Sequence, residues 1–213
     1  QLSSHDPDAI RAYWDQLNQQ SPDPRLNRAI GDNYPPGSLF KVIVSAAALE
    51  DGRRPERVIP APGGLALPNT STTLENFNGS TCSPSREQSL IGALTVSCNT
   101  AFAQLGIDLG EDKVRAMSEA FGLDGEGYEI PLDVAPSGVG DIESDAALGQ
   151  TSIGQRDVRM TPLQAGLVAA TVGNDGVGNR MQLAAERILG HFGARARPVP
   201  FGGAGETARN FLG

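Results

Sequence analysis

The most restrictive feature of this sequence is a double-proline turn placed directly before an apolar segment. Pro35-Pro36-Gly37 forces the chain to turn, because proline lacks the N–H that a helix interior or a sheet ladder needs. The following residues are rich in Ala, Val and Leu and stop at Gly52, a residue that often ends helices. The pattern predicts a helix over Ser38–Glu50 that starts as soon as the turn is complete.

Other segments have helical patterns separated by polar loops. Asp8–Gln19 follows Asp6 or Ser4 as a helix cap, and its apolar residues Ile10, Tyr13, Trp14 and Leu17 recur at helical spacing, which predicts a core-facing stripe. Residues 55–85 are rich in Pro, Gly, Ser, Thr and Asn, which predicts a loop with at most one short strand. The remaining predicted helices are Arg86–Val96, Thr100–Leu109, Glu111–Phe121 and Thr161–Val172.

Composition excludes several classes of function. The 213 residues carry a formal net charge of −8, which argues against nucleic acid or an anionic lipid surface as the main partner. The longest apolar run is far shorter than the roughly 20 residues that a membrane span requires. The two histidines, His5 and His191, are too few and too far apart for a convincing metal site. We therefore expect no metal and no cofactor.

Ser38 and Lys41 are the first candidates for chemistry. On a helix, residues three apart share a face, so the lysine amine can reach the serine hydroxyl. A serine is a poor nucleophile until a base takes its proton, and a lysine whose pKa is lowered by burial can be that base. Lysine is rare here, with 2 Lys against 15 Arg. The alternative is two unrelated surface residues, because Ser-x-x-Lys also occurs by chance.

The context of this pair resembles penicillin-binding proteins and serine β-lactamases. Tyr34–Lys41 is similar to their nucleophile segment, and Ser97-Cys98-Asn99 is similar to their Ser-x-Asn motif. Gly149–Gln155 followed by Met160–Gln164 resembles a stretch that precedes the last large helix of their transpeptidases. Further similarity to actinobacterial class B (monofunctional) transpeptidases lies in Asn27–Ile30, Leu74–Phe77 and Ser97–Phe102, and the resemblance covers roughly residues 22–177.

The resemblance implies a fold, an activity and a set of roles. The implied fold is the α/β (α+β) transpeptidase fold, present here mostly as its helical part, with sheet strands missing at both ends. The implied activity is that of a peptidoglycan D,D-transpeptidase, in which a serine is acylated by D-Ala-D-Ala stem peptides or by β-lactam antibiotics. Ser38 would be the nucleophile, Lys41 its base, Ser97 a proton relay to the leaving amine, and Asn99 a substrate-binding residue that also positions Lys41.

The resemblance also implies a location and partners. Family members work on the extracytoplasmic face of the plasma membrane, with partners among the cell-division or elongation proteins. At that location a disulfide between Cys82 and Cys98, the only two cysteines, is permitted. Two free thiols are the alternative.

The sequence departs from the family in two respects. The third motif, Lys-Thr-Gly or Lys-Ser-Gly, does not occur in the 213 residues. Residues 178–213 hold five arginines and two acidic residues and show no family pattern. We therefore divide the chain into a partial transpeptidase domain, 1–177, and an off-family tail, 178–213. The departures keep open a catalytically silent remnant that only binds partners. A serine β-lactamase or D,D-carboxypeptidase is the other alternative.

Overall fold

The apolar segment after the double-proline turn forms the central helix of the structure, a computed structural model that describes residues 5–125, 128, 130, 132–174 and 176. The helix, α3, spans Phe40–Glu50 and is preceded by a single 3₁₀ turn, Gly37–Leu39. Phe40, Ile43, Val44 and Ala48 are completely buried. The predicted helix is thus confirmed, although its first turn is the tighter 3₁₀ form, which is frequent at helix N-termini.

Seven more α-helices lie in the described part of the chain. Their bounds are α1 Pro7–Asn18, α2 Arg28–Gly31, α4 Leu90–Thr95, α5 Asn99–Leu109, α6 Glu111–Ala120, α7 Asp145–Thr151 and α8 Pro162–Gly173. Capping signals set several starts: Asp6 accepts the N–H groups of Asp8 and Ala9, and Thr161 Oγ1 accepts that of Gln164 at 3.1 Å. The helices predicted in these regions are confirmed within one or two residues at α1, α5, α6 and α8.

The predicted core stripe of α1 is wrong for most of its members. Leu17 is buried, whereas Trp14 is 46% exposed. The indole ring is covered on one face by Arg25, whose guanidinium carbon lies 4.5 Å from the ring centroid. Helical spacing shows that one face is apolar, but only Leu17 of the four is buried, and Ile10 and Tyr13 are half-buried.

The segment predicted as a loop contains more strand than expected. Three short strands, β1 Val58–Pro60, β2 Gly64–Ala66 and β3 Thr73–Glu75, are followed by β4 Glu87–Ser89. β1 pairs with β4 and β2 with β3, both antiparallel, with Val58 opposite Ser89 and Gly64 opposite Glu75. Three-residue strands are too short to display an alternating pattern, which is why the sequence did not predict them.

The predicted helix over Arg86–Val96 is wrong in its first part. Residues 87–89 form β4, and the helix there, α4, begins only after Ser89, whose side chain accepts the N–H of Gly92 at 3.1 Å. Two short helices were not predicted at all. Of these, α2 is capped by Asn27, and α7 is capped by Ser144 through the N–H of Ala147.

Helices α4, α5 and α6 pack against α3, and α7 packs against α5. The closest approach joins α5 to α7, where a Cβ on Gly106 would overlap Ser152 Oγ. Mixed helix and strand with helix predominating is the fold class predicted from the sequence, and it is confirmed. None of the described helices is long and apolar enough to cross a membrane. The tail predicted at 178–213 lies outside the described residues, so the boundary at 177 stays a prediction.

Candidate active site

The four polar residues singled out in the sequence come from two separate stretches of backbone. Ser38 lies in the 3₁₀ turn that leads into α3, and Lys41 lies in the first turn of α3. Ser97 occupies the link between α4 and α5, and Asn99 is the first residue of α5. The structure therefore brings together residues that are up to 61 positions apart in the sequence.

The nucleophile turn is held in place by backbone hydrogen bonds to a distant segment. Tyr34 and Met160 exchange N–H to carbonyl bonds of 3.0 and 2.9 Å, and the Gly37 N–H donates to the Gly154 carbonyl at 3.0 Å. Gly154 has a φ of +70° and touches Gly37 so closely that a Cβ would overlap the Gly37 carbonyl oxygen. Only glycine satisfies both conditions without strain. Gly154 supports the site, and the sequence marked it only as part of a family landmark.

Lys41 is the centre of the cluster. Its side chain is completely buried, yet Nζ has four hydrogen-bond partners. Nζ lies 3.2 Å from Ser38 Oγ and 3.0 Å from Ser97 Oγ. It donates to the Ser97 carbonyl oxygen at 2.7 Å and to Asn99 Oδ1 at 2.6 Å. The amine is thus held beside the Ser38 hydroxyl by the hydroxyl and carbonyl of Ser97 and by the Asn99 amide.

Burial controls the protonation state of this amine. Removal from water disfavours the ammonium form and lowers the pKa of Lys41 to about 8. Its four partners are uncharged, and within the described part of the chain no ion pair involves Lys41. A substantial fraction of Lys41 is therefore neutral near pH 8, in the form that can accept a proton.

Ser97 connects the amine to the nucleophile by a second route. Its hydroxyl donates to Ser38 Oγ at 2.8 Å and accepts from Lys41 Nζ. Ser97 has a φ of +56°, a conformation uncommon for residues other than glycine. This conformation lets its carbonyl and its hydroxyl contact the same amine. The three groups form a closed triangle through which a proton can pass.

The Asn99 amide is fixed at both ends. Its Oδ1 accepts from Lys41, and its Nδ2 donates to the Glu75 carbonyl at the end of β3, at 3.3 Å. The neighbouring residue Asn76 accepts the backbone N–H of Asn99 at 2.8 Å. The sequence contained Asn76 within a family-like segment and assigned it no role. Its contact across 23 positions has no local sequence signal.

The two cysteines are paired in the structure. Cys82 and Cys98 form a disulfide with a Cα–Cα distance of 5.7 Å. Cys98 lies between Ser97 and Asn99, so the bridge ties the loop after β3 to the backbone of the cluster. Of the two alternatives left open by the sequence, the structure has the disulfide.

The second lysine lies in a different environment. Lys113, on α6, is 54% exposed at its side chain and pairs with Asp51 at 2.5 Å. It is followed by Val114 and is not part of the cluster. Among the described residues there is no group of three or more His, Cys, Asp or Glu side chains that could hold a metal ion.

Comparison with known proteins gives a consistent result. The family model described as "Penicillin binding protein transpeptidase domain" matches residues 5–193. The peptidoglycan D,D-transpeptidase PbpA of Mycolicibacterium smegmatis is 50% identical over 182 residues, 85% of this chain and 37% of that protein. PbpA of Mycobacterium tuberculosis is 46% identical with the same coverage. The chain thus spans little more than a third of the length of these relatives.

Solved structures agree with the sequence comparison. Penicillin-binding protein A from M. tuberculosis, solved as a penicillin G acyl-enzyme, matches with a TM-score of 0.80 at 46% identity, over 82% of this chain and 40% of that chain. A D,D-transpeptidase domain from Eggerthella lenta matches with a TM-score of 0.72 at 26% identity, over 94% of this chain and 52% of that one. These matches confirm the resemblance inferred from the motifs: the chain belongs to the family of penicillin-binding protein transpeptidase domains.

Proposed function

We propose that this chain carries the acylation machinery of a peptidoglycan D,D-transpeptidase, with Ser38 as the residue acylated by D-Ala-D-Ala stem peptides and by β-lactams. The observation that carries the proposal is the position of the buried Lys41 amine, 3.2 Å from Ser38 Oγ and hydrogen-bonded to Ser97 and Asn99. A neutral amine beside a serine hydroxyl can take its proton and so activates the serine oxygen as a nucleophile. The relatives that match most of this chain are named D,D-transpeptidases, which supports the same assignment.

Acylation begins with proton transfer. Neutral Lys41 takes the proton of Ser38 Oγ as that oxygen attacks the carbonyl carbon of the penultimate D-Ala. The resulting oxyanion needs hydrogen-bond donors, and the N–H of Ser38 belongs to the first turn of a helix, where N–H groups lack an intrahelical acceptor. Ser97, bonded to both Lys41 and Ser38, passes the proton to the departing amine. The peptide C–N bond breaks, and the terminal D-Ala leaves as a free amino acid.

Transfer of the acyl group reverses these roles. The amine of a second stem peptide attacks the ester carbonyl, gives up a proton to the Lys41 and Ser97 pair, and forms the cross-link as Ser38 Oγ leaves with a proton. Asn99 Nδ2 carries two hydrogens, of which one bonds the Glu75 carbonyl at 3.3 Å and the other is available to a substrate carbonyl. A β-lactam presents the same carbonyl in a strained ring, and its opening leaves a slowly hydrolysed ester on Ser38.

The location and the partners of the full-length protein belong to the same proposal. The substrate is peptidoglycan, so the acting domain lies on the extracytoplasmic face of the plasma membrane. Partners among cell-division or elongation proteins would present that substrate. Both inferences rest on family membership. They concern the whole protein, whereas this chain covers 37% of the length of its PbpA relatives.

One observation favours a second candidate, a catalytically silent domain that binds partners only. Neither Lys-Thr-Gly nor Lys-Ser-Gly occurs in the 213 residues, and in the family that motif supplies charge for the substrate carboxylate. The two lysines of the chain are Lys41, which is buried in the cluster, and Lys113, which pairs with Asp51. Neither is free to replace the missing group.

Intact mass after incubation with benzylpenicillin separates the candidates. The proposed function expects one stoichiometric adduct on the folded chain and none on Ser38→Ala. The two lysines provide a matched pair: Lys41→Arg keeps the cation but cannot act as a base and should not acylate, while Lys113→Arg should acylate like the wild type. No adduct on a chain shown to be folded by circular dichroism would favour the silent domain. Adducts that disappear within minutes would favour a β-lactamase or carboxypeptidase.

A further inference from the structure

The helix that carries Asn99 lacks a cap of its own. α5 begins at Asn99 after Cys98, and the Cys98 side chain makes no capping hydrogen bond because its sulfur is in the disulfide. The first N–H groups of a helix have no acceptor within the helix, and leaving them unpaired in a buried position costs free energy. Thr100, the second residue of α5, is completely buried, so water cannot satisfy its N–H.

Asn76 supplies that cap from a distant loop. Its Oδ1 accepts the N–H of Asn99 at 2.8 Å and the N–H of Thr100 at 3.1 Å. A side-chain oxygen that accepts N–H groups in the first turn is what an N-cap residue provides, although a cap normally comes from the residue directly before the helix. Here it comes from 23 positions earlier.

The Asn76 amide is itself held in one orientation. Its Nδ2 donates to the Ser80 carbonyl at 3.1 Å and lies 3.3 Å from Thr100 Oγ1. The Thr100 hydroxyl donates its single hydrogen to the Pro62 carbonyl at 2.7 Å, so it accepts from Nδ2. Asn76 is 7% exposed. Both ends of its amide are therefore used, and neither aspartate nor leucine can reproduce the full set.

The cap at Asn76 affects the reacting groups through one residue, Asn99. Asn99 is bonded at its backbone by Asn76 and at Nδ2 by the Glu75 carbonyl, so residues 75 and 76 set the direction of its side chain. The remaining amide atom, Oδ1, then points at Lys41 Nζ over 2.6 Å. We propose that Asn76 is a positioning residue of the site, which caps α5 from outside and thereby holds Asn99 against Lys41.

The proposal rests on the proposed function for its kinetic consequence, but its structural core can be tested separately. The chain has two lysines, so lysine labelled with ¹³C at Cε gives two NMR signals, and Lys113→Arg assigns them. In the wild type the Lys41 signal should titrate with its lowered pKa of about 8. In Asn76→Leu the loosened Asn99 admits water to the amine. The pKa of Lys41 should then rise toward its ordinary value.

Acylation by a fluorescent penicillin gives the kinetic readout. Asn76→Leu should lower the second-order acylation constant at pH 8 at least tenfold. Val114→Ala, which opens a cavity on α6 outside the cluster, serves as a control of comparable destabilisation, and Asn78→Gly serves as a control in the same turn, where φ is +53°. Both controls should stay within about twofold of the wild type in acylation.

Asn76→Asp is the conservative variant. Its carboxylate can still accept the Asn99 and Thr100 N–H groups but cannot donate to Ser80 or Thr100, so it should recover only part of the thermal midpoint lost in Asn76→Leu. It also places a negative charge against Asn99, the residue that bonds Lys41 Nζ, and this charge favours the ammonium form of Lys41. Its acylation should therefore reach a maximum at higher pH than in the wild type.

Three results would overturn the proposal. One is an Asn76→Leu chain with wild-type acylation. Another is a loss no larger than that of Val114→Ala, with an unchanged pH profile and an unchanged Lys41 titration, which would reduce Asn76 to a purely structural role. The third applies if Asn76→Leu does not fold: an Asn76→Asp chain whose Lys41 titration and acylation rate both match the wild type. Wild-type protein that never reacts with penicillin would defeat the proposed function instead, and the Lys41 titration would still decide the role of Asn76.

Discussion

Lys41 Nζ donates to Asn99 Oδ1 over 2.6 Å, the shortest of its four hydrogen bonds, and this contact joins the first turn of α3 to the first turn of α5. The partner is a neutral amide. A carboxylate in its place would stabilise the ammonium and work against the effect of burial. The amine is held firmly and remains easy to deprotonate, which is the combination that a base requires.

The rate of acylation should therefore depend on the protonation of Lys41. The pKa of this amine is lowered to about 8 by burial, and only its neutral form can accept the Ser38 proton. The second-order acylation constant with a penicillin should rise tenfold per pH unit well below pH 8 and level off above it. Stopped-flow or labelling measurements between pH 5.5 and 9.5 test this. A rate that is flat across the interval would rule out Lys41 as the titrating base.

The same shift predicts how stability depends on pH. The pKa of Lys41 is lower in the folded chain than the ordinary value of about 10.4 in the unfolded chain. Between these values the unfolded chain holds a proton that the folded chain has lost, so raising the pH favours folding. The burial penalty is fully present below pH 8 and disappears toward pH 10.5.

Comparison with Lys41→Met isolates this contribution. The free energy of unfolding of the wild type, minus that of the variant, should increase across this interval by at most about 3 kcal/mol. The tyrosines whose pKa values are raised, Tyr34 by its bond to Asp32 and Tyr128 by burial, titrate in both proteins and cancel. Urea unfolding at several pH values measures the difference. A constant difference would mean that Lys41 has an ordinary pKa.

Ser97 offers a way to separate catalysis from stability. Ser97→Ala removes the hydroxyl between Lys41 and Ser38 and should lower acylation by about 10²-fold, the lower end for loss of a proton-transfer group. Ser97→Gly removes the same hydroxyl but suits the φ of +56°. Its free energy of unfolding should exceed that of Ser97→Ala by up to about 1 kcal/mol, and its acylation should be equally slow. Faster acylation in the glycine variant would show that backbone strain, and not the hydroxyl, limits the rate.

The sequence predicted the parts of this molecule that depend on local patterns. α3, α5, α6 and α8 are long, periodic and bounded by recognisable signals, such as Thr161 followed by Pro162. The three-residue strands around Ile59 and Leu74 are too short for an alternating pattern, and the strand around Ile59 pairs with residues 87–89, which lie far from it in the sequence. The apolar residues of α1 have helical spacing, but spacing alone does not show whether another element packs against that face.

The residues of the site also divide into those that a local pattern predicts and those that it does not. Ser38 and Lys41 were found from their spacing on one helix, whereas Ser97 and Asn99 were found only through family resemblance, because no local rule connects them to Lys41. Asn76 and Gly154 act across 23 and 117 positions. Their contributions arise from hydrogen bonds and close backbone approach that exist only after folding. Sequence reasoning therefore located the reacting groups and Asn99, but it assigned no supporting role to Asn76 or Gly154.

The disulfide should stabilise the fold more than it supports the reaction. Cys82 and Cys98 are 16 positions apart, and closing a loop of this size is worth about 3 kcal/mol in the chain-entropy model. The double variant Cys82→Ser, Cys98→Ser should lose about this much unfolding free energy. It should keep most of its acylation rate, since Asn76 still caps α5. Intact mass without reductant should show the wild type two hydrogens lighter than the reduced chain, and two free thiols would refute the pairing.

Gly154 gives the sharpest test of how the nucleophile turn is supported. In Gly154→Ala the new methyl overlaps the Gly37 carbonyl, and alanine must adopt a φ of +70°. Both effects push the 154 segment away from the turn that carries Ser38, so the variant should lose about 2–4 kcal/mol of unfolding free energy. Acylation of the chain that remains folded should also slow, because the turn shifts relative to Lys41.

Gly166→Ala is the matched control for this variant. Gly166 lies on the exposed face of α8 with open space where the methyl would go, so the same substitution should stabilise the chain by up to about 1 kcal/mol and leave acylation unchanged. Thermal unfolding and penicillin labelling of both variants give the comparison. If Gly154→Ala unfolds at the wild-type temperature and acylates at the wild-type rate, the close contact between Gly37 and Gly154 does not position the nucleophile.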